Sequence, residues 1–152
     1  MTTYQFLIAG LEPSPYGFAV LMLQCVPHTH TLRIRLGAVD AQPLASELAG
    51  IQTVRSRMAM TVWHVVERLD GHIAHIWLHR GAGNLIEAEV VVETSLEQVS
   101  IPVTCGDAFA LAVAHKLPIF GDATLDSLML PVASEEADVV LPSGLETFLS
   151  SL

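Results

Sequence analysis

The pattern Asp-Ala-x-x-Leu-Ala occurs twice in this chain, beginning at Asp40 and again at Asp107. Each copy follows a stretch of strand-like composition, and its leucine and alanine recur at helical spacing. The pattern therefore predicts two helices that each open on an acidic residue. Because the two copies occur at the same place in the element order, we expect a duplicated unit with halves of about residues 4–71 and 72–130.

Hydrophobic periodicity predicts the same element order in both halves, namely three strands followed by two helices. Strands are expected over residues 4–11, 18–26 and 31–36, and helices over 40–49 and 56–69. In the second half, strands are expected over 72–80, 85–93 and 97–103, and helices over 107–115 and 122–128. The strand at 18–26 is almost continuously apolar, which predicts burial on both of its faces. The expected fold class is α+β, with mixed or antiparallel sheets packed with helices in a single domain.

The composition favours one globular domain over a membrane protein. The chain has 152 residues, of which 51% are hydrophobic and 15% charged, and no apolar run approaches the roughly 18 residues that a spanning helix needs. The two cysteines lie far apart, and the N-terminus lacks the features of a signal peptide, so we expect a cytoplasmic protein. The apolar surplus predicts a homodimer, with the valine-rich strand at 85–92 or a C-terminal helix as candidate interfaces.

Residues 131–152 differ in composition from the rest of the chain. Glu135, Glu136 and Asp138 form an acidic linker, which precedes an apolar run and a proline-glycine turn. After the turn, apolar residues recur at helical spacing and predict a short amphipathic helix. The apolar positions of this helix are Leu145, Phe148, Leu149 and Leu152. We therefore expect a domain over residues 1–130 that is followed by a linker and a helix that docks on another surface.

The net charge limits the kinds of partner that the protein can bind. The formal net charge is −9, and the seven Lys and Arg residues are scattered along the chain. Proteins that hold a nucleic-acid duplex by its phosphates present clustered basic side chains, because counterion release drives that binding. The sequence therefore disfavours a tight non-specific duplex binder. The pairs Arg33/Arg35 and Arg55/Arg57 can each form only a small basic patch.

Asp40 and Asp107 are the first candidates for catalytic residues. A pair of carboxylates can hold Mg²⁺ or Mn²⁺ for phosphodiester hydrolysis, in which the metal activates water and neutralises charge. The structural alternative is that each carboxylate lies in the first turn of a helix, where it accepts free N–H groups and favours the helix dipole.

Histidine and cysteine offer weaker candidates. His28 and His30 would share one strand face, as would His75 and His79, and imidazoles so placed can bind zinc or act as a general base. Neither pair has a third ligand at a fixed spacing, so exposed strand-face histidines are the alternative. Cys105 precedes a helix whose N-terminus could lower its thiol pKa. Its alternative role is that of a small apolar residue at a strand–helix junction.

Two segments of the chain, residues 36–50 and 104–120, resemble motifs of the bifunctional nuclease domain family of bacteria and plants. The first is Leu36-Gly37-Ala38-Val39-Asp40-Ala41 with Leu44-Ala45 and Leu48-Ala49-Gly50, and it is similar to the family's I-G-P-F-E-A strand end and following helix. The second is Thr104-Cys105-Gly106-Asp107-Ala108-Phe109-Ala110-Leu111-Ala112 with Pro118-Ile119-Phe120, and it is similar to the family's R-P-S-D-A-I-A-L-A and P-I-F. The resemblance covers residues 4–130. It implies a duplicated β3-α2 fold and a nuclease that acts on DNA and RNA.

The chain also departs from the family pattern at polar positions. The family's Arg-Pro-Ser falls on Thr104-Cys105-Gly106, and its Thr-His-Asp falls near Met58-Ala59-Met60. Two functions therefore remain as hypotheses. One is a metal-assisted nuclease with Asp40 and Asp107 in its active site, whose activity we expect to be weak or absent. The other is a non-catalytic oligomeric module that binds or regulates a partner and has kept the fold without the catalytic motif.

Overall fold

A computed structural model of the chain describes residues 2–27 and 30–131. The predicted C-terminal helix, nearly all of the acidic linker and His28 lie outside the described residues. The strands are β1 (Thr3–Pro13), β2 (Phe18–Val26), β3 (His30–Gly37), β4 (Gly71–Arg80), β5 (Ile86–Thr94), β6 (Gln98–Val103), β7 (Ile119–Asp122) and β8 (Met129–Pro131). The α-helices are α1 (Ala38–Leu48), α2 (Val54–Arg68) and α3 (Cys105–His115), and short 3-10 helices span Ala82–Asn84 and Ala123–Leu128.

All eight strands belong to one mixed sheet with the order β6-β5-β4-β7-β1-β2-β3-β8. Two antiparallel meanders, β1-β2-β3 and β4-β5-β6, form its two halves. β7 lies between them, parallel to β4 and antiparallel to β1. The expected α+β single domain is confirmed. Within the described residues, no helix is both long and apolar enough to cross a bilayer.

The helices cover one face of this sheet, and the core lies between helices and sheet. Along β2, the residues Ala19, Leu21, Leu23 and Cys25 are buried, whereas the residues between them are only partly buried. The expectation that this strand is buried on both faces is therefore wrong. Successive side chains of a strand point to opposite faces, and the helices cover only one of them.

The valine-rich strand β5 does not expose the apolar surface that its predicted role as a homodimer interface requires. Val90, Val91 and Val92 are no more than 7% exposed within the single chain. Their apolar surface is thus already used by the domain's own packing, and they are not available to a second copy. Leu85, just before the strand, stays exposed.

Helix α2 is the least buried of the three α-helices, since none of its residues is fully buried. Trp63 and Val66 pack against the core as the helical spacing predicts. Met60 and Leu69, which continue the same three-residue spacing along the sequence, are 39% and 75% exposed. The face that α2 turns to the core is therefore narrower than the sequence suggests. A capping box between Thr53 and Ser56 fixes where this helix begins.

The two Asp-Ala-x-x-Leu-Ala segments occupy matching places in the fold. Asp40 is the third residue of α1 and Asp107 is the third residue of α3, and each helix follows the last strand of a meander. The halves also differ, because α1 is followed by a second α-helix whereas α3 is followed by β7 and a 3-10 helix.

Candidate functional site

A cavity lined by several charged side chains lies between β3 and β5, and we call it the β3–β5 cleft. Its volume is about 610 Å³, and the N-terminal ends of α1 and α3 close one side of it. Its carboxylate, guanidinium and imidazole side chains come from three strands and α1. These side chains are Arg33, Arg35, Asp40, His79, Glu87 and Glu89.

A histidine–carboxylate pair lies in this cleft. The imidazole Nε2 of His79 is 3.0 Å from the Oε2 atom of Glu87, and the two residues are cross-strand neighbours on β4 and β5. The carboxylate also lies against the main chain at the end of β4, where a β-carbon on Gly81 would be 2.4 Å from it. Glycine at position 81 therefore leaves the space that the Glu87 carboxylate occupies. A carboxylate placed in this way fixes the orientation of the imidazole.

Two guanidinium groups face the same cleft from β3. Arg33 and Arg35 are alternate residues of the strand, so they share one sheet face, and both are exposed. The guanidinium of Arg35 lies 4.0 Å from the centre of the Phe18 ring, an arrangement that orients it by a cation–π contact. Guanidinium groups present several N–H donors in a plane that matches the oxygens of a phosphate.

Asp40 and Cys105 lie near each other at the closed end of the cleft. Burial, together with the nearby carboxylates of Asp40 and Glu87, raises the pKa of the Cys105 thiol to about 11. The Sγ atom donates a hydrogen bond to the Ile86 carbonyl at 3.4 Å. The helix N-terminus therefore does not activate this thiol, and the alternative role at the strand–helix junction agrees with the structure.

Asp107 faces away from this cleft and is already bound to the chain's own groups. Its Oδ2 atom is 3.0 Å from the Arg55 Nη2 atom and accepts a hydrogen bond from the Thr104 hydroxyl, also at 3.0 Å. The Thr104 hydroxyl oxygen in turn accepts the Asp107 backbone N–H at 3.3 Å. This carboxylate thus stabilises the start of α3 and ties α2 to it.

A second cavity, of about 320 Å³, lies between α2 and α3 and is mainly apolar. The rings of Trp63 and His115 stack on its wall, with 3.6 Å between centroids and 5° between planes. The His115 Nε2 atom is buried and has no hydrogen-bond partner in the structure. Burial lowers the pKa of His115, because the charged imidazolium would lose its hydration.

The structure thus places the two predicted aspartates in different cavities. Asp40 lines the β3–β5 cleft with Arg33, whereas Asp107 lines the α2–α3 cavity with Arg55 and His115. The main chains of the two helices still touch between them, at Asp40 and Gly106.

The residues do not fit the Mg²⁺ or Mn²⁺ ion that the family resemblance implies. Across residues 2–27 and 30–131, the structure contains no group of three or more His, Cys, Asp or Glu side chains that could hold a metal ion. Asp107 is also neutralised by Arg55. We therefore derive no chemical step that uses a metal.

Sequence reasoning did not single out the pairing of His79 with Glu87. It placed His75 and His79 on one strand face, but the two have different surroundings. His79 lies in the cleft, whereas His75 packs against Phe120 at 5.3 Å between ring centroids. The pairing could have been inferred from the short connection between the two predicted strands, because an antiparallel hairpin there sets His79 opposite Glu87.

Comparison with known proteins agrees with the resemblance in sequence. The model of the bifunctional nuclease domain matches residues 21–128, which is more than two thirds of the 152-residue chain. A search of curated proteins finds no match. The matched range contains the β3–β5 cleft, the α2–α3 cavity and both helices that open on an aspartate. The chain therefore belongs to the bifunctional nuclease domain family.

Proposed function

We propose that this domain is a nuclease that cleaves phosphodiester bonds in the β3–β5 cleft. The observation that carries the proposal is the His79–Glu87 pair, which shares one cleft with Arg33 and Arg35. These residues supply a general base and a site for the charge of a phosphate, and membership of the bifunctional nuclease domain family suggests a nuclease-like function.

The two arginines bind the phosphate in this proposal. Their guanidinium groups donate hydrogen bonds to the non-bridging oxygens and stabilise the negative charge that develops during cleavage. The acidic side chains that share the cleft, Asp40 and Glu89, make its net charge low. Binding of nucleic acid is therefore weak, in agreement with the net charge of −9.

His79 acts as the general base. In its neutral form the imidazole accepts the proton of the attacking hydroxyl, which is the 2′-hydroxyl of RNA or a water molecule. The negative charge of Glu87 orients the ring and stabilises the imidazolium that forms. The leaving oxygen is protonated by water, and His79 returns its proton to solvent after the bond has broken. Asp40, at the closed end of the cleft, limits how deeply a phosphate can enter.

The experiment uses the purified full chain with labelled single-stranded RNA and DNA, in EDTA and in Mg²⁺ or Mn²⁺. We expect slow cleavage that His79→Ala reduces by roughly 10²-fold or more, the range expected for loss of a general base. Arg33→Ala and Arg35→Ala should weaken substrate binding. The matched control is His72→Ala, because His72 also pairs with a glutamate, at 3.4 Å from Glu67, but outside the cleft. Equal activity in His79→Ala and wild type would contradict the proposed role.

A second function, a non-catalytic oligomeric binding module, is favoured by one observation. Asp107, a residue predicted to be catalytic, is held in an ion pair with Arg55 and at the start of a helix, which is a structural role. In this case nucleic acid or another ligand would bind without being cleaved. Binding that is measurable by fluorescence anisotropy, together with no cleavage in any of the metal conditions, would support this function over the first.

Three further expectations belong to the same proposal. A homodimer is supported by large apolar side chains that stay exposed, such as Leu7 and Leu130, and light scattering should then give about twice the chain mass of 16.4 kDa.

Duplication of the β-β-β-α-α unit is supported by the matching positions of Asp40 and Asp107 in their helices, and superposition of the two halves tests it. A cytoplasmic location is supported by the thiols of Cys25 and Cys105, which form no disulfide.

A further inference from the structure

One side of α2 carries an apolar stripe that the described chain leaves uncovered. Its members, which we call the α2 stripe, recur every three or four residues and are between 50% and 77% exposed. They are Val54, Met58, Val62, Val65 and Leu69. The side chains of α2 that reach the core, such as Trp63 and Val66, form a neighbouring row on the helix. Spacing of this kind is typical of a helix that packs against a second helix.

We propose that the chain's own C-terminal segment, residues 132–152, docks on the α2 stripe. Apolar residues of the segment recur at the spacing of one helix face, from Leu145 through Phe148 and Leu149 to Leu152. This row spans eight residues and the α2 stripe spans 16, so the segment can cover about half of the stripe.

Charge complementarity favours the C-terminal segment as the partner of the α2 stripe. The segment carries four acidic residues, Glu135, Glu136, Asp138 and Glu146, and no lysine or arginine. Helix α2 carries three of the chain's seven basic residues. Two of these, Arg57 and Arg68, are exposed beside the stripe. Opposite charges at the rim of an apolar contact favour one partner and one orientation.

Other arrangements fit the charges less well. A second α2 helix on the stripe would bring the Arg57 and Arg68 side chains of two copies together. On the sheet face that the helices leave uncovered, Glu87, Glu89 and Glu93 on β5 outnumber Arg33 and Arg35 on β3, so these side chains offer an acidic segment no net positive charge. The segment can also reach α2. Residues 132–144 span up to about 43 Å when extended, whereas β8 and β4, on which α2 packs, lie five strand spacings or roughly 24 Å apart.

Hydrogen exchange of the full chain tests the proposal. In Phe148→Asp, which places a charge in the apolar row, peptides over residues 54–69 should exchange about 10-fold faster than in the wild type. The matched control is Ser150→Asp, which adds the same charge on the opposite side of the predicted helix and should leave the exchange unchanged. Val62→Asp should in turn speed exchange in residues 139–152, whereas His64→Asp, on the solvent side of α2, should not.

Two outcomes would overturn the proposal. One is equal exchange over residues 54–69 in the wild type and in Phe148→Asp. The other is a dimer by light scattering that Val62→Asp dissociates and Phe148→Asp does not, because a second copy would then cover the stripe. Neither result depends on cleavage, so the nuclease proposal is tested separately.

Discussion

Gly106 of α3 lies directly against the main chain of Asp40 in α1, and a β-carbon at position 106 would be 1.6 Å from the Asp40 carbonyl oxygen. No β-carbon can be accommodated at that distance, and the neighbouring atoms are main chain, which cannot rotate away. The close contact of the two helices therefore depends on glycine. It also holds the closed end of the β3–β5 cleft together, because Asp40 and Cys105 both line it.

Gly106→Ala should destabilise the protein by about 3 kcal/mol or more, because α1 and α3 must move apart and leave poorly packed space. Chemical denaturation monitored by circular dichroism measures this change. Gly37→Ala is the matched control, since nothing lies within 4 Å of a β-carbon there. It should cost less than about 1 kcal/mol. Similar losses in both variants would contradict the role of the helix contact.

Comparison of Asp40→Asn with Asp107→Asn should show which of the two cavities is the site of cleavage. Asp40 lines the β3–β5 cleft, so removing its charge should change cleavage several-fold. Asp107→Asn removes an ion pair that is 40% exposed on both sides, and it should cost about 1 kcal/mol of stability or less. Its cleavage rate should stay within about a factor of two of the wild type. Loss of cleavage in a folded Asp107→Asn variant would place catalysis in the α2–α3 cavity instead.

His115 should make the stability of the protein depend on pH. Burial lowers its pKa in the folded state, so between that pKa and the unfolded value of 6.5 the unfolded chain binds more protons. The contribution of neutral His115 to the free energy of unfolding is therefore fully present above about pH 6.5. It is lost as the pH falls from there through the pKa of the folded state. His115→Phe keeps a ring stacked on Trp63 and removes the titration. Denaturation curves between pH 7 and 5 should be flatter in this variant, and an unchanged slope would contradict the explanation.

Cys105 should react slowly with thiol reagents in the folded protein. A pKa of about 11 leaves very little thiolate near neutral pH, and the thiolate is the reactive form. At pH 8 we expect alkylation at least roughly 100-fold slower than for free cysteine. Mass spectrometry of peptides distinguishes it from Cys25. Asp40→Asn removes a charge that raises the thiol pKa and should speed the reaction, whereas rapid labelling of the wild type would show that the thiol is not protected.

Much of the fold follows from local sequence patterns. The strand at Phe18–Val26 was predicted at its observed bounds, and α2 and α3 were predicted to within two residues at each end. Alternating and helical periodicities are local properties, so they can be read from one segment at a time. The opening of α1 and α3 near an aspartate is likewise a local signal, because acidic residues are favoured in the first turn of a helix.

The short strands β7 and β8 could not be predicted in the same way. They contain four and three residues, and only their pairing with β1, β4 and β3 makes them strands. The one-sided burial of β2 has a similar origin, because it depends on which sheet face the helices cover.

Local sequence patterns were sufficient to assign the family, the α+β class and the two helices that begin near Asp40 and Asp107. Only the packing of the elements places these aspartates in different cavities and brings His79 and Glu87 into one cleft with Arg33. The physical reason is that local pattern fixes a residue's element and face, whereas the side chains of a site come from elements far apart in sequence. Their distances depend on how the sheet curves and on the close contact that Gly106 allows between two helices.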